Sequence, residues 1–156
     1  MYFAHQLDLI GKGQIISVDI CAREESWYPL VWDHERTILI KGSSVDRGVV
    51  QQVRDIVGTA RNNLVILDSL HTKPHVLQEM LQYSELLASG NYMLVEDSNF
   101  NGHPLPPARH LTTANEGGPF EAIEEFFKIN DQFRLDQELE KRFLFSYAPS
   151  GYLAKK

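Results

Sequence analysis

The 156-residue sequence contains one cysteine, Cys21, so it cannot form an internal disulfide bond. Without a second thiol or a nearby cysteine and histidine pattern, it also lacks the usual signature of a zinc site. It has no run of about 18 apolar residues, and its first ten residues lack the basic and apolar regions of a secretory signal peptide. These absences predict a cytoplasmic protein without a membrane span.

Clusters of basic residues are also missing. The net charge is -6, and the 15 lysines and arginines are scattered along the chain. Nucleic-acid binding needs a basic surface that neutralises phosphates, so we expect no nucleic-acid partner. The length and the 43% share of hydrophobic residues are ordinary for a globular protein and predict one domain over residues 1–156.

Apolar runs alternate with segments of helical spacing. Strands are predicted in GQIISVDI, RTILIKG, NLVILDS and YMLVEDS. Helices are predicted over residues 2–9 and 46–57, from Pro74 to a stop at Gly90, and from Gly118-Pro119 onward. The apolar runs do not alternate with polar residues, which is typical of parallel strands covered on both faces. The predicted fold class is therefore α/β, a doubly wound, mostly parallel sheet flanked by helices.

The last third of the sequence differs in composition and pattern. Residues 99–118 are rich in glycine and proline, as in the segment GHPLPP, and predict a long functional loop such as a lid or substrate wall. After the helix that opens at Pro119, residues 134–154 predict two strands that meet near Arg142 to Tyr147. The sheet is therefore expected to end in an antiparallel hairpin.

Three of the apolar runs end in acidic residues. Ligands of open α/β sheets bind beyond the carboxyl ends of the strands, where these side chains should lie. Asp19 closes the first run and is a candidate for binding a ribose, although it could equally cap a helix that begins near Ala22. Ser43 and Ser44 follow the second run at the rim of the same crevice, with helix capping by Ser44 or Asp46 as the alternative.

Asp68 and the pair Glu96 and Asp97 close two consecutive strands and should be neighbours. Converging carboxylates repel one another, and a hard divalent cation such as Mg²⁺, Mn²⁺ or Ca²⁺ would offset that repulsion. The alternative is three solvated acids on exposed loops. His71, three residues after Asp68, is a candidate general base near neutral pH, or else an ordinary surface histidine.

Six motifs together resemble the cephalosporin hydroxylase and rhamnosyl O-methyltransferase family. They are VDI at 18–20, GSS at 42–44, ILDS at 66–69, VEDSNFNGHP at 95–104, GGPFEAIEEF at 117–126 and SYAPSGYL at 146–153. The resemblance covers nearly the whole chain. It implies a Rossmann-like, class I S-adenosylmethionine-dependent methyltransferase fold and an O-methyltransferase that acts on a sugar or small-molecule hydroxyl.

The resemblance also implies roles for individual residues. It assigns Asp68, Glu96 and Asp97 to Mg²⁺, Asp19 to the cofactor ribose, and the GSS segment to the adenine side. His71 falls where the similar catechol O-methyltransferase has its basic catalytic lysine. The implied mechanism is in-line attack of a metal-held, deprotonated substrate oxygen on the methylsulfonium group.

The family's first strand and glycine-rich turn would lie before Met1. We therefore expect the chain to bind S-adenosylmethionine weakly or not at all and to have little or no activity. The strands at 14–19 and 63–68 would lose the strand between them, so they should pair directly, accept a segment of another chain, as in a homo-oligomer, or make the chain poorly soluble.

Two other functions stay open. Family members are also named for cephalosporin hydroxylation, although we find no sequence pattern for the two-histidine, one-carboxylate iron site that such an oxygenase normally needs. The chain could also be a non-catalytic metal-binding remnant.

Overall fold

The computed structural model describes residues 2–21, 34–100, 117–144 and 146–156. The chain divides into two compact units, residues 1–56 and 57–156, and each is described by itself. None of the described helices has the length and apolar character needed to cross a lipid bilayer. The single-domain organisation, and the way in which the segments 14–19 and 63–68 adjoin, stay predictions.

The first unit contains a helix, two parallel strands and most of a second helix. Helix α1 (Tyr2–Ile10) ends at Gly11, whose positive φ of 78° suits a glycine. Strand β1 (Ile15–Asp19) pairs in parallel with β2 (Thr37–Lys41), and helix α2 (Arg47–Val57) follows. These elements match the helices and strands predicted from the apolar pattern.

Gly42 forms the tight connection between β2 and α2. Its φ is 152°, and a Cβ atom there would meet Cγ2 of Val49 at 2.6 Å. Asp46 caps α2, because its Oδ1 accepts hydrogen bonds from the N–H groups of Gly48 (2.9 Å) and Val49 (3.1 Å). The close approach of Gly42 therefore brings β2 directly to the start of α2, where Val49 is buried.

The second unit contains a four-stranded mixed sheet. Its strands β3 (Leu64–Leu67), β4 (Tyr92–Val95), β5 (Phe133–Leu135) and β6 (Tyr152–Lys155) lie in the order β3-β4-β6-β5. β3 and β4 are parallel, whereas β6 is antiparallel to both β4 and β5. The α/β class and the antiparallel ending are therefore confirmed.

Two helices pack together in this unit, α3 (Lys73–Tyr83) and α4 (Pro119–Ile129). Met80 of α3 and Phe126 of α4 are fully buried, as are Met93 and Leu153 in the sheet. The rings of Phe126 and Phe133 meet edge to face, with centroids 5.5 Å apart. Such a core supplies most of the hydrophobic stabilisation of the unit.

The end of α3 differs from the prediction. The α-helix ends at Tyr83 and continues as one 3-10 turn, Ser84–Leu86, instead of running to Gly90. The hydroxyl of Ser84 donates to the carbonyl oxygen of Leu81 (2.9 Å), which favours a tightened last turn. Gly90, with φ 84°, lies in the following turn that leads into β4.

The predicted tail was wrong in its details. The strands are shorter than expected, and a short helix, α5 (Gln137–Glu140), lies between them. Asp136 caps this helix by accepting the N–H of Leu139 (2.9 Å), and its other carboxylate oxygen accepts the hydroxyl of Tyr92 (2.6 Å). The cap therefore fixes α5 to β4, a tertiary contact that the local pattern does not reveal.

Burial of β3 on both faces was also predicted wrongly. Leu67 is buried, but Leu64 and Ile66 are exposed, with relative accessibilities of 57% and 38%. Side chains alternate between the two faces of a strand, so Leu64 and Ile66 share one face, and among the described residues nothing covers that face fully. The predicted lid over 99–118 falls largely outside the described residues.

Candidate active site

The carboxyl ends of β3 and β4 place the predicted acids side by side. The two strands are parallel, with Leu67 opposite Val95. The N–H of Glu96 donates to the carbonyl oxygen of Leu67 (2.9 Å), which extends the ladder one residue beyond β4. Asp68 and Asp97 therefore both lie just beyond the carboxyl ends of these strands, at the same end of the sheet.

His71 joins these two acids. Its Nε2 atom lies 3.4 Å from Oδ1 of Asp68 and 3.0 Å from Oδ2 of Asp97, and the residue is 7% exposed. We call this set the Asp68–His71–Asp97 cluster, and its possible ligand atoms all lie within 4.8 Å of one another. The structure thus brings the predicted base and two of the three predicted metal ligands into one place.

The backbone of Asp97 is unusual. Its φ is 53°, in the left-handed region that few residues other than glycine adopt, although aspartate tolerates it better than most. Such a conformation costs about 1–2 kcal/mol for an L-residue. A strained turn held by its surroundings is a common feature of functional sites, and here it carries one of the cluster's carboxylates.

Charges within the cluster shift the pKa values of its side chains. The pKa of His71 is raised, first by its contact with the Asp68 carboxylate and then by the charge of Asp97, against the opposing effect of burial. The pKa of Asp68 is lowered by the same contact with His71. The pKa of Glu96 is raised by burial and by the charges of Asp68 and Asp97, so Glu96 lies close enough to interact with both. The site is negatively charged overall.

These side chains fit a single divalent cation. Ligand atoms at about 2.0–2.6 Å from one ion lie within about 5 Å of each other, as those of Asp68, His71 and Asp97 do. Carboxylate oxygens suit Mg²⁺ or Mn²⁺, whereas an imidazole suits softer metals. Glu96 is not in the group that converges, and its role as a third oxygen ligand stays a prediction.

A buried serine supports the turn that carries Asp97. Ser98 is completely buried, and its hydroxyl donates to the carbonyl oxygen of Pro149 (2.6 Å). Gly151 lies so close to β4 that a Cβ atom there would meet the carbonyl oxygen of Val95 at 2.3 Å. Neither residue was predicted to have a role, although Ser98 belongs to the motif VEDSNFNGHP and Gly151 to SYAPSGYL.

A buried acid behind the cluster was also missed. Glu79 of α3 is 1% exposed, and its Oε1 atom accepts the hydroxyl of Ser69 (2.7 Å). The signal was present in the sequence, because Glu79 lies in the apolar stripe that Val76, Met80 and Tyr83 form on α3. Acids are rarely buried unless they have a partner.

The predicted cofactor residues lie in the first unit. The N–H of Gly42 donates to the carbonyl oxygen of Asp19 (2.8 Å), so the Asp19 turn and the segment with Ser43 and Ser44 are neighbours. Oδ1 of Asp19 accepts the N–H of Cys21 (2.8 Å), a local turn of the kind expected for a cap. Asp46 caps α2 as the alternative interpretation allowed. Cofactor binding by Asp19, Ser43 and Ser44 stays a prediction.

Comparison with solved structures gives the fold. The chain is similar to the MycE methyltransferase of the mycinamycin biosynthetic pathway in complex with Mg, SAH and mycinamycin VI, with a TM-score of 0.55 and 16% identity. The match covers 97% of this chain and 38% of that chain. A second MycE structure, with Mg and SAH, gives a TM-score of 0.51 and covers 97% and 39%. These likenesses confirm a Rossmann-like methyltransferase fold.

Comparison with curated sequences gives the family. The profile described as rhamnosyl O-methyltransferase/CmcI matches residues 1–156. The chain is 32% identical over 158 aligned residues to a rhamnosyl O-methyltransferase of Mycobacterium tuberculosis (strain H37Rv), covering 99% of this chain and 61% of that protein. The Mycobacterium leprae protein of the same name is 32% identical over 159 residues, covering 100% and 66%. The chain thus spans about three fifths of the first of these relatives, and it belongs to the rhamnosyl O-methyltransferase/CmcI family.

Proposed function

We propose that the protein is an S-adenosylmethionine-dependent, Mg²⁺-assisted O-methyltransferase that acts on a hydroxyl group of a sugar or another small molecule. The observation that carries the proposal is the convergence of Asp68, His71 and Asp97 at the carboxyl ends of two parallel strands. Relatives named rhamnosyl O-methyltransferase support the reaction and a sugar acceptor. A similar structure that holds Mg and SAH supports the choice of cation and methyl donor.

In this proposal Asp68, Glu96 and Asp97 hold the cation. When bound, the cation would lower the pKa of the acceptor hydroxyl, and S-adenosylmethionine would supply the methyl group. The raised pKa of Glu96 supports this role, because burial and two neighbouring negative charges leave a site that a positive ion stabilises.

His71 is the proposed general base: its Nε2 atom faces the carboxylates of Asp68 and Asp97 in the structure, and it would accept the hydroxyl proton when a cation binds those carboxylates. A base must be neutral before it acts, and the charges of the neighbouring carboxylates are what raise the pKa of His71. A cation held by those carboxylates would offset their negative charge and so lower the pKa of His71 toward neutral pH. Its burial, at 7% exposure, keeps bulk water away from the imidazole.

Asp19, Ser43 and Ser44 are the proposed cofactor residues. Asp19 would accept hydrogen bonds from the ribose hydroxyls, and the two serines would lie on the adenine side. The hydrogen bond between Gly42 and Asp19 supports this assignment, because it places both segments at one edge of the first unit. An Asp19→Ala variant should weaken S-adenosylmethionine binding in calorimetry, whereas Asp55→Ala, an exposed acid on α2, should not.

The test is methyl transfer by the purified chain. The protein is incubated with S-adenosylmethionine and a panel of rhamnosides and other glycosides, with Mg²⁺ or with EDTA, and S-adenosylhomocysteine and methylated product are measured. Because the chain is expected to bind S-adenosylmethionine weakly, a low yield of product is expected with Mg²⁺ and none with EDTA. Equal product in EDTA would refute the metal role. Absence of product together with absence of S-adenosylmethionine binding in calorimetry would refute the proposed activity of this chain.

A further inference from the structure

Glu79 is the single acid of α3, and it lies inside the second unit rather than on its surface. Its side chain is 2% exposed, and within the described residues its Oε2 atom has no hydrogen-bond partner. Its Oε1 atom accepts the Ser69 hydroxyl at 2.7 Å and lies 3.6 Å from Nε2 of His75. Burial of a carboxylate with so few partners is costly and calls for a physical reason beyond packing.

The Ser69 contact places Glu79 behind the Asp68–His71–Asp97 cluster. Ser69 directly follows Asp68 and precedes His71 by two residues, in the short segment between β3 and α3. The segment is tightly turned at its other end, where the N–H of Thr72 donates to the carbonyl oxygen of Leu70 (2.8 Å). The hydrogen bond to Glu79 is therefore a side-chain anchor that ties this segment to α3.

The electrostatic field of Glu79 also reaches the cluster. Its charge contributes to raising the pKa of His71, and burial together with this charge raises the pKa of Tyr83 to about 12. Glu79 is therefore close enough to His71 for its charge to act on the imidazole, although no described contact joins Glu79 to Asp68 or Asp97.

We propose that Glu79 is a positioning residue for the active site, acting through Ser69 to fix the separation of Asp68 and His71. This inference rests on the proposed function for its chemical meaning. Groups that orient metal ligands from behind typically change metal affinity or activity by about 10–100-fold when they are removed. Glu79 contacts the segment between the ligands rather than a ligand atom. The loss of metal affinity should therefore also occur when the Ser69 hydroxyl is removed.

The test uses the exposed partner, because Ser69→Ala should fold even if changes at the buried Glu79 do not. The affinity of the full chain for Mn²⁺ alone is measured by electron paramagnetic resonance. Ser69→Ala and Glu79→Leu should each weaken binding by about 10–100-fold, and the double variant should be no weaker than Glu79→Leu. Two conservative variants should retain most of the wild-type affinity. They are Ser69→Thr, which keeps the hydroxyl, and Glu79→Gln, which keeps an acceptor oxygen.

A control is Ser84→Ala, since Ser84 lies beyond the other end of α3 and its hydroxyl donates to a helix carbonyl, that of Leu81. It should leave Mn²⁺ affinity unchanged. Equal affinities in wild type, Ser69→Ala and Glu79→Leu would overturn the inference, as would a loss in Ser69→Ala that Ser69→Thr does not restore.

A second readout does not depend on the metal. The ring resonances of His71, assigned by their loss in His71→Gln, are compared at one fixed pH in the metal-free protein. Ser69→Ala should shift them, and Ser69→Thr should leave them near the wild-type position. If wild type fails to bind Mn²⁺ but the His71 shift occurs, the proposed metal site is wrong and the positioning role is upheld. An unshifted His71 in Ser69→Ala would refute the positioning role on its own.

Discussion

The Nε2 atom of His71 lies 3.0 Å from the Oδ2 atom of Asp97, although the two residues follow different strands. The contact exists because β3 and β4 are parallel neighbours whose carboxyl ends share one edge of the sheet. A candidate base and a candidate metal ligand are thus held together by strand pairing rather than by the sequence of either loop.

Removing the two aspartates should abolish the response to Mg²⁺. A ligand that binds only the native state raises its stability by RT ln(1 + [L]/Kd), so about 2.7 kcal/mol is expected at a concentration of 100 Kd. Asp68→Ala with Asp97→Ala should lose this increase in thermal stability, measured by calorimetry with and without Mg²⁺. Glu138→Ala, an acid that is 82% exposed on α5, should keep it. A double variant that still responds like wild type would rule out the site.

Loss of the candidate base should slow the chemical step. General-base catalysis contributes about 10²–10⁴-fold, so His71→Gln should lower kcat by that range while the KM for S-adenosylmethionine changes little. The measurement is steady-state methyl transfer with an acceptor found in the glycoside panel. His5→Gln, an exposed histidine on α1, is the control. A His71→Gln enzyme with normal kcat would exclude His71 as the base.

A side chain at residue 151 should disturb the turn after β4. In Gly151→Ala the new Cβ would lie 2.3 Å from the carbonyl oxygen of Val95, so the backbone must move. Overpacking of this kind costs about 1–3 kcal/mol of unfolding free energy, measured by urea denaturation. Gly11→Ala is an instructive contrast, since its Cβ would meet no atom within 4 Å and only its φ of 78° is unfavourable. A Gly151→Ala protein as stable as wild type would show that the approach to Val95 is not constraining.

Acid should weaken the first unit through Asp8. The pKa of Asp8 is lowered, first by its hydrogen bond with Arg36 (2.6 Å) and also by His34. A carboxylate with a lowered folded-state pKa stabilises the native state above its unfolded pKa, near 3.8, and loses that effect as the pH falls through the folded value. The Tm of wild type should therefore exceed that of Asp8→Asn at neutral pH, and the difference should shrink below about pH 4. A difference that persists undiminished at pH 2 would contradict this account.

Asp68, His71 and Asp97 could be predicted from the sequence because one rule places them. Acids that close adjacent parallel strands share an edge, and apolar runs of this kind identify such strands without further information. The convergence of His71 with these acids agrees with its position three residues after Asp68.

Glu79 and the short helix α5 could not be predicted in the same way. The position of Glu79 in an apolar stripe was visible, but its partner Ser69 is ten residues away and is defined only by the packing of α3 on β3. Helix α5 begins at Asp136, whose second partner, Tyr92, comes from a distant strand. Tertiary contacts decide both features, and local propensity does not contain them.

The bond from Ser98 to the carbonyl oxygen of Pro149 spans 51 residues of chain. The turn that carries Asp97 follows β4, whose second neighbour in the sheet, β6, comes from that same distant segment. Contacts of long sequence separation form late in folding, because the chain must first close a large loop. We therefore expect the turn that carries Asp97 to be completed only when the remote segment docks, so formation of this site should follow a long-range step of folding rather than the closure of its own loop.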